Sequence, residues 1–431
     1  MLNSLKIIIL LLVISGLSAC GGGGDGDDTQ TTANTDATTT DTDNTNDSTT
    51  TATNNTTDNT AIETNPALLG KQLFSDTRLS FNQNQSCATC HNPDKGFIDD
   101  RDNGVASAVS LGDDEISLGN RNSPTVSYAS LAPDFTGNNQ NARGGQFLDG
   151  RADNLTDQAG QPFLNALEMG MPNQASVIER IVAVPEYVAA FEALYGASVF
   201  DNTNTAFNAL ADSLASFQET QEVSPFDSKY DRAIAGSYTL TNAERNGQNL
   251  FFSNRASCQE CHNLNNLPNV SPDELFTNHD YENIGVPANA ALNSTLRSLG
   301  QQADLTANGD QGLFENPAVN NNNATRGRFK VPTLRNVAVT APFMHNGVFA
   351  NLQTVIHFYD HQGGNNRRPI NPETNQAWGA PEVNNNINNN DLQMRPLSDA
   401  DVNNLECFLR TLTDAQFEED LPPLRTGLNC T

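Results

Sequence analysis

The chain has 431 residues, with 51 Asp and Glu against 23 Lys and Arg, and a formal net charge of −28. So acidic a chain argues against nucleic acid and suits a basic partner, such as a small electron-carrier protein. With only seven Cys and six His, any regular spacing among them carries weight.

Residues 1–19 read as a secretory signal. Lys6 supplies positive charge, Ile7 to Val13 form an apolar run, and Leu17, Ser18 and Ala19 precede Cys20. The run is too short and too poorly flanked for a stable membrane span. Its ending resembles a bacterial lipobox, in which Cys20 is lipidated and becomes the mature N-terminus. A lipid anchor at Cys20 would then be the only membrane attachment, on the periplasmic side of a bacterial membrane. Residues 20–60 follow as a tether rich in Thr, Asn and Asp. Positions 21–60 hold eight Asp, no Lys or Arg and no aromatic residue. Such a segment cannot bury enough apolar surface to offset its ordering entropy.

Residues 61–235 are expected to form an N-terminal domain. Its first helix carries Gly70-Lys-Gln-Leu73-Phe74 and leads to Cys87-Ala-Thr-Cys90-His91. A helix opening at Ser176-x-x-Glu179 and another led by Pro185 and ending near Gly196 come next. Phe207, Leu210, Leu214 and Phe217 recur at helical spacing and predict a closing helix. Val223 to Thr239 reads as a hinge.

Residues 236–431 repeat the plan. Thr241-x-x-Glu244 is a capping box. Gly247-Gln-Asn-Leu250-Phe251 then leads to Cys258-Gln-Glu-Cys261-His262. The Asn-rich runs Val319–Thr325 and Val383–Asn390 read as loops. Leu352, Val355, Ile356 and Tyr359 predict one apolar helix face. Ser398-x-x-Asp401 caps a closing helix with Val402, Leu405, Leu409 and Leu412 on its inner face. Cys407 and Cys430 remain, an even pair in an oxidising compartment, either a disulfide holding the C-terminal tail or two free thiols. The expected fold class is mainly α: two cytochrome c-type haem domains in tandem with long irregular loops.

C-x-x-C-H is the attachment signature of haem c. Its two thiols add across the haem vinyl groups and its His becomes the proximal iron ligand. A thioredoxin-like pair gives no reason for the trailing His, and a zinc site needs further Cys or His close by. Two covalent haems are therefore expected, on Cys87, Cys90 and His91 and on Cys258, Cys261 and His262. After His91 no His occurs until His262. The first domain thus has only Met169 and Met171 to offer as a second axial ligand. An iron with an open sixth position can bind peroxide.

In these segments the chain resembles the di-haem cytochrome c peroxidase and MauG superfamily. The matching stretches are Asn122-Ser-Pro-Thr125, Gln146-Phe-Leu-Asp-Gly-Arg151, Gln158-Ala-Gly-Gln-Pro162, Leu167-Glu168-Met169, Phe329 to Asn336 and Thr340-Ala-Pro-Phe-Met-His-Asn-Gly347. The resemblance implies that Glu168 is the distal acid, with Gln158 and Pro162 beside it. It places Ser107 where peroxidases carry a capping His, as in the always-open MauG branch. It places Tyr359 where peroxidases carry an axial Met, counted from His345 of the Thr-Ala-Pro-x-x-His motif, and counts His345 itself among the haem-binding residues. Met344, His357 and His361 are the other candidates for that ligand. It also implies one Ca²⁺, held by the Asn122 side chain and the carbonyls of Thr340 and Pro342, an oxygen-only set suited to that ion.

The implied activity is peroxide-dependent oxidation at an open haem. The electrons come from a small cytochrome c or cupredoxin in the peroxidase reading. In the MauG-like alternative they come from side chains of a protein substrate. A third reading, a non-catalytic electron-transfer lipoprotein, needs both irons closed. One departure stands out. Leu148 occupies the position where the family has a tryptophan between the haems, and Trp378, the only tryptophan, lies in a different motif.

Overall fold

The computed structural model describes residues 65–138, 141–264, 274–319, 322–364 and 367–431. The apolar run Ile7 to Val13, the lipobox with Cys20 and the tether lie outside the described residues.

The architecture is mainly helical. In chain order the first half contributes α1 (Pro66–Phe74), α2 (Cys87–Cys90), α3 (Leu155–Ala159), α4 (Gln161–Leu164), α5 (Gln174–Val182), α6 (Pro185–Tyr195) and α7 (Thr203–Gln218). The second contributes α8 (Lys229–Ile234), α9 (Asn242–Phe251), α10 (Ala290–Leu299), α11 (Ala303–Asn308), α12 (Leu352–Gln362) and α13 (Asp399–Arg410). Among the described residues the strands are two-residue pairs: β1 (Tyr281–Glu282) with β2 (Phe329–Lys330), and β3 (Ile370–Asn371) with β4 (Gln376–Ala377), both antiparallel.

Local chemistry explains most helix starts. Asn65 accepts from the Ala67 amide and Pro66 opens α1. Thr241 with Glu244, and Ser398 with Asp401, form the reciprocal capping boxes expected of α9 and α13. α5 departs from expectation. It starts two residues before Ser176, because the Asn173 side chain accepts the Ser176 amide at 3.0 Å. The expected hinge is also partly helical. Ser228 and Asp231 form a capping box that starts α8, and Tyr230 carries it into the second core.

Two apolar cores follow the two halves. Leu69, Leu73, Phe74, Phe207, Leu210, Leu214 and Phe217 lie in one; Leu250, Phe251, Val402, Leu405, Phe408 and Leu409 lie in the other. Phe417, near the C-terminus, crosses over and packs into the first core with its ring centroid 6.3 Å from that of Phe97, and Val339 packs against the same core. Cys407 and Cys430 form a disulfide, so the tail is tied to α13.

The duplication is visible as one helix crossing used twice. A Cβ placed on Gly70 would lie 1.8 Å from the Ser213 carbonyl oxygen of α7, and one on Gly247 would lie 1.8 Å from the Asn404 carbonyl oxygen of α13. Neither backbone can retreat without moving a core helix. Gly70→Ala and Gly247→Ala should each cost about 1–3 kcal/mol or more, through overpacking. Thermal unfolding of the holoprotein checks this, and equal melting temperatures would show that the crossing can relax.

Candidate active site

The two pentapeptides adopt related turns. Cys87–Cys90 form α2, started by a Ser86–Thr89 capping box, while Cys258–Glu260 form a 3₁₀ turn. In both, the His amide donates to the carbonyl of the first Cys, at 2.8 Å for His91 and 2.9 Å for His262. This turn brings both thiols and the imidazole to one side of the chain. The four thiols are not disulfide-bonded. Burial pushes them up, Cys90 to about 11 and the others to about 12. Among the described residues no cluster of three Cys, His, Asp or Glu could hold a metal by itself.

The two imidazoles are prepared alike. His91 Nδ1 lies 3.2 Å from the Phe97 carbonyl oxygen, and His262 Nδ1 lies 2.9 Å from that of Phe276. An Nδ1–H donated to these carbonyls leaves Nε2 as the ligand atom and fixes the ring plane. Burial lowers both imidazoles from their ordinary value, His262 to about 4, so both stay neutral and able to bind iron.

One cavity of about 510 Å³ is lined by both pentapeptides. Glu168, Gln158 and Pro162 line it as well. Pro162 is in α4, and its carbonyl accepts the Met169 amide at 3.2 Å. The Glu168 amide donates to Asn165 and its carbonyl accepts from Asp113, at 3.0 and 2.8 Å, so the turn is held at both ends. Asn165 Nδ2 donates to Glu168 Oε1 at 2.7 Å. Burial raises the Glu168 carboxyl, against the opposing pull of Arg151 and of that hydrogen bond. Ser107 does not line the cavity. Met171 is packed in the first core away from it, and Met169, though it reaches the wall, is 4% exposed within the same core.

At the second site Leu352, Val355, Ile356 and Tyr359 of α12 all line the cavity, on the face that their spacing predicted. Burial, with the Cys261 and Cys258 thiols nearby, pushes the Tyr359 phenol up. Of the competing ligands, Met344 also reaches the cavity, whereas His357 and His361 do not. His361 Nδ1 pairs with the Arg367 carbonyl at 2.9 Å, and its ring stacks on Trp378. His345 reaches the cavity, but its Nε2 lies 2.8 Å from Glu382 Oε2 and its ring stacks 3.8 Å from that of Phe329. Its imidazole is therefore committed to holding the wall.

Asn122, Thr340 and Pro342 line the same cavity. Asn122 Nδ2 donates to the Ala108 carbonyl at 3.1 Å, and its backbone amide to the His345 carbonyl at 2.7 Å. Phe147 and Leu148 also border the cavity, but Trp378 does not. Trp378 packs instead on Phe349 and Phe358, with ring centroids 5.6 and 5.5 Å away.

Sequence reasoning missed Lys330 and His279. Both line the cavity. His279 Nε2 is buried without a hydrogen-bond partner, and burial lowers that imidazole to about 3. The Lys330 ammonium donates to the Gly145 carbonyl, and burial lowers it to about 8. An enclosed cation and an orphaned ring nitrogen on one wall suit an anionic occupant. The carboxylates of a haem supply that charge, so the residues present fit the group. The signal was thin: Lys330 lies inside the Phe329–Asn336 stretch, and His279 carries no motif of its own.

A family model described as di-haem cytochrome c peroxidase matches residues 64–239. The methylamine utilization protein MauG of Paracoccus denitrificans is 47% identical over 367 residues, covering 84% of this chain and 92% of that protein. A cytochrome-c peroxidase of a Pseudomonas species is 32% identical over 324 residues, 72% of this chain and 77% of its own. Among solved structures, the diheme peroxidase BthA from Burkholderia thailandensis superposes with a TM-score of 0.68 at 29% identity, covering 84% of this chain and 89% of that one. The chain belongs to the superfamily of di-haem cytochrome c peroxidases and MauG-like enzymes, and with that membership come two covalent haem c groups and an enzymatic, peroxidase-type activity.

Proposed function

We propose that this enzyme uses hydrogen peroxide at a haem held by Cys87, Cys90 and His91, and keeps the second oxidising equivalent at a haem held by Cys258, Cys261, His262 and Tyr359. The observation that carries this reading is the shared cavity, which sets Glu168, Gln158, Pro162 and Tyr359 on the same wall system as both pentapeptides. When bound, the haems supply the irons at which peroxide is reduced and the oxidising equivalents are stored. Every proton movement falls to the chain. Asn165 holds Glu168 Oε1, which leaves Oε2 to take a proton from one peroxide oxygen and return it to the departing one. Gln158 orients peroxide without titrating, and Pro162 closes the pocket beside it.

The MauG-like reading, oxidation of side chains on a protein substrate, is favoured over turnover of a small cytochrome c or cupredoxin. Its support is the 47% identity to a MauG together with a tyrosine at position 359. Peroxide titration of the diferric protein, with and without a reduced donor, separates the two. Optical change at both haems, with slow donor oxidation, is expected. Rapid, saturable turnover of a small cytochrome or cupredoxin would return the enzyme to the peroxidase reading.

The chain is further proposed to be exported and anchored by lipid at Cys20, since haem c attachment in bacteria occurs outside the cytoplasm. Labelled lipid recovered on the wild type but not on Cys20→Ser tests the anchor. One Ca²⁺ is proposed at Asn122 Oδ1 and the carbonyls of Thr340 and Pro342. The Ala108 contact occupies only Nδ2 of Asn122, so the oxygen remains for a hard cation. Elemental analysis should find one calcium per chain, and chelation should disturb both haem spectra; a calcium-free protein with unchanged spectra removes the site.

A further inference from the structure

We propose that Tyr128 relays oxidising equivalents between the two haem sites, with Asp414 as its proton acceptor. The inference rests on the peroxide-dependent reading above. It begins from the position that lacks an oxidisable ring: Leu148 carries none, and Trp378 does not reach the cavity. Among the aromatic side chains lining that cavity, only Tyr128 and Tyr359 are readily oxidised, and Tyr359 is already assigned to the second site.

Tyr128 lines the cavity that both pentapeptides share. On one side its segment begins at Ser123, whose Oγ is 3.3 Å from His91 Nδ1 and donates to the Cys90 carbonyl at 3.0 Å. On the other, the Arg335 guanidinium lies 5.5 Å from the Tyr128 ring centroid and 5.7 Å from that of Phe276. Phe276 is the residue whose carbonyl pairs with His262. Tyr128 is thus linked through its own segment to a partner of one imidazole, and through Arg335 and Phe276 to the partner of the other.

Its hydroxyl is built for coupled loss of an electron and a proton. Tyr128 is 2% exposed and Asp414 0% exposed. The phenol donates to Asp414 Oδ1 at 2.6 Å, and Asn336 Nδ2 donates to the other oxygen at 2.8 Å. The Asp414 amide donates back to Asn336 Oδ1 at 2.9 Å, which fixes the carboxylate. Burial raises Asp414 to about 6, with Asp227 adding to the rise and Tyr128, Asn336 and Arg335 opposing it. It is therefore a stronger base than an ordinary carboxylate, yet mostly ionised at neutral pH. The positive charge of Arg335 near the ring disfavours a cationic radical, so the proton must leave with the electron.

The step balances. The Tyr128 phenol would give one electron to the first site once peroxide has oxidised it, its O–H bond breaking and its proton bonding to Asp414 Oδ1. An electron drawn from the second site then reduces the phenoxyl, and the proton returns to its oxygen. Hydrogen peroxide is the oxidant, and no other reagent is required.

Stopped-flow mixing of diferric holoprotein with peroxide tests the relay, with optical changes read separately at each haem and freeze-quenched samples examined by electron paramagnetic resonance. Tyr128→Phe keeps the ring in its pocket. Asp414→Asn keeps the tyrosine and removes its base. In both, oxidation at the second haem should slow on the order of 100-fold, the size of a lost acid–base partner. The first haem should react at the wild-type rate, and the resting spectra of both haems should match the wild type. Ring-deuterated tyrosine should narrow a wild-type radical signal that Tyr128→Phe abolishes. An unchanged second-haem rate in Tyr128→Phe, or the same tyrosyl signal there, overturns the relay while leaving the function reading intact. A wild-type protein whose haems both ignore peroxide overturns the two together.

Discussion

Glu168→Gln is expected to slow the reaction with peroxide by on the order of 100-fold or more. Glutamine keeps the volume and can still accept from Asn165 Nδ2, so the turn from Asn165 to Gly170 should be undisturbed. What disappears is the oxygen proposed to carry the proton between the two peroxide atoms. The pH profile makes the prediction sharper. Burial holds the Glu168 carboxyl above its ordinary value. The ionised form is the one that accepts a proton, so the wild-type rate should fall as pH falls through that raised value, above the usual carboxylate range. In Glu168→Gln this acid limb should vanish along with the rate. Stopped-flow rates across pH measure both. An equal rate, or an acid limb that survives the substitution, removes the acid–base assignment.

Tyr359→Met is expected to raise the reduction potential of the second haem by on the order of 100 mV or more, given the range over which axial ligands set haem potentials. A phenol oxygen is a hard donor and favours oxidised iron; a thioether is soft and favours reduced iron. Potentiometric titration of the two haems separates the sites, and the first should not move. Tyr359→Phe leaves no donor at that position and should add a high-spin component to the resting spectrum. If neither substitution alters the second haem, Met344 is the remaining cavity-facing candidate.

Which residues line the shared cavity was partly legible in the sequence. The C-x-x-C-H spacing is a covalent requirement, since two thiols and one imidazole must reach one macrocycle. Val355, Ile356 and Tyr359 share a face because helical periodicity leaves no alternative once the helix forms. The twin glycines were visible as part of a repeat, but their purpose was not. Gly70 and Gly247 are required by the carbonyls of Ser213 and Asn404, which lie 143 and 157 positions further along the chain.

The illegible residues share a property: their chemistry comes from neighbours remote in sequence. His345 reads as a haem-binding residue, but the partner of its Nε2, Glu382, cannot be read from the sequence. His279 and Lys330 gain meaning only from sharing one cavity wall. Tyr128 is an ordinary buried tyrosine until Asp414, 286 residues later, receives its proton donor at 2.6 Å.

By itself the sequence determined two haem c attachment sites, a helical scaffold built twice and a leucine where the family has tryptophan. Those are set by covalent spacing, by periodicity and by the identity of a side chain, all of which are local. Only the tertiary structure decided that both attachment sites share one cavity, that His345 Nε2 meets Glu382 on its wall, and that the Tyr128 phenol meets Asp414. Burial and hydrogen-bond distance belong to pairs of residues the chain brings together, and no single segment encodes them.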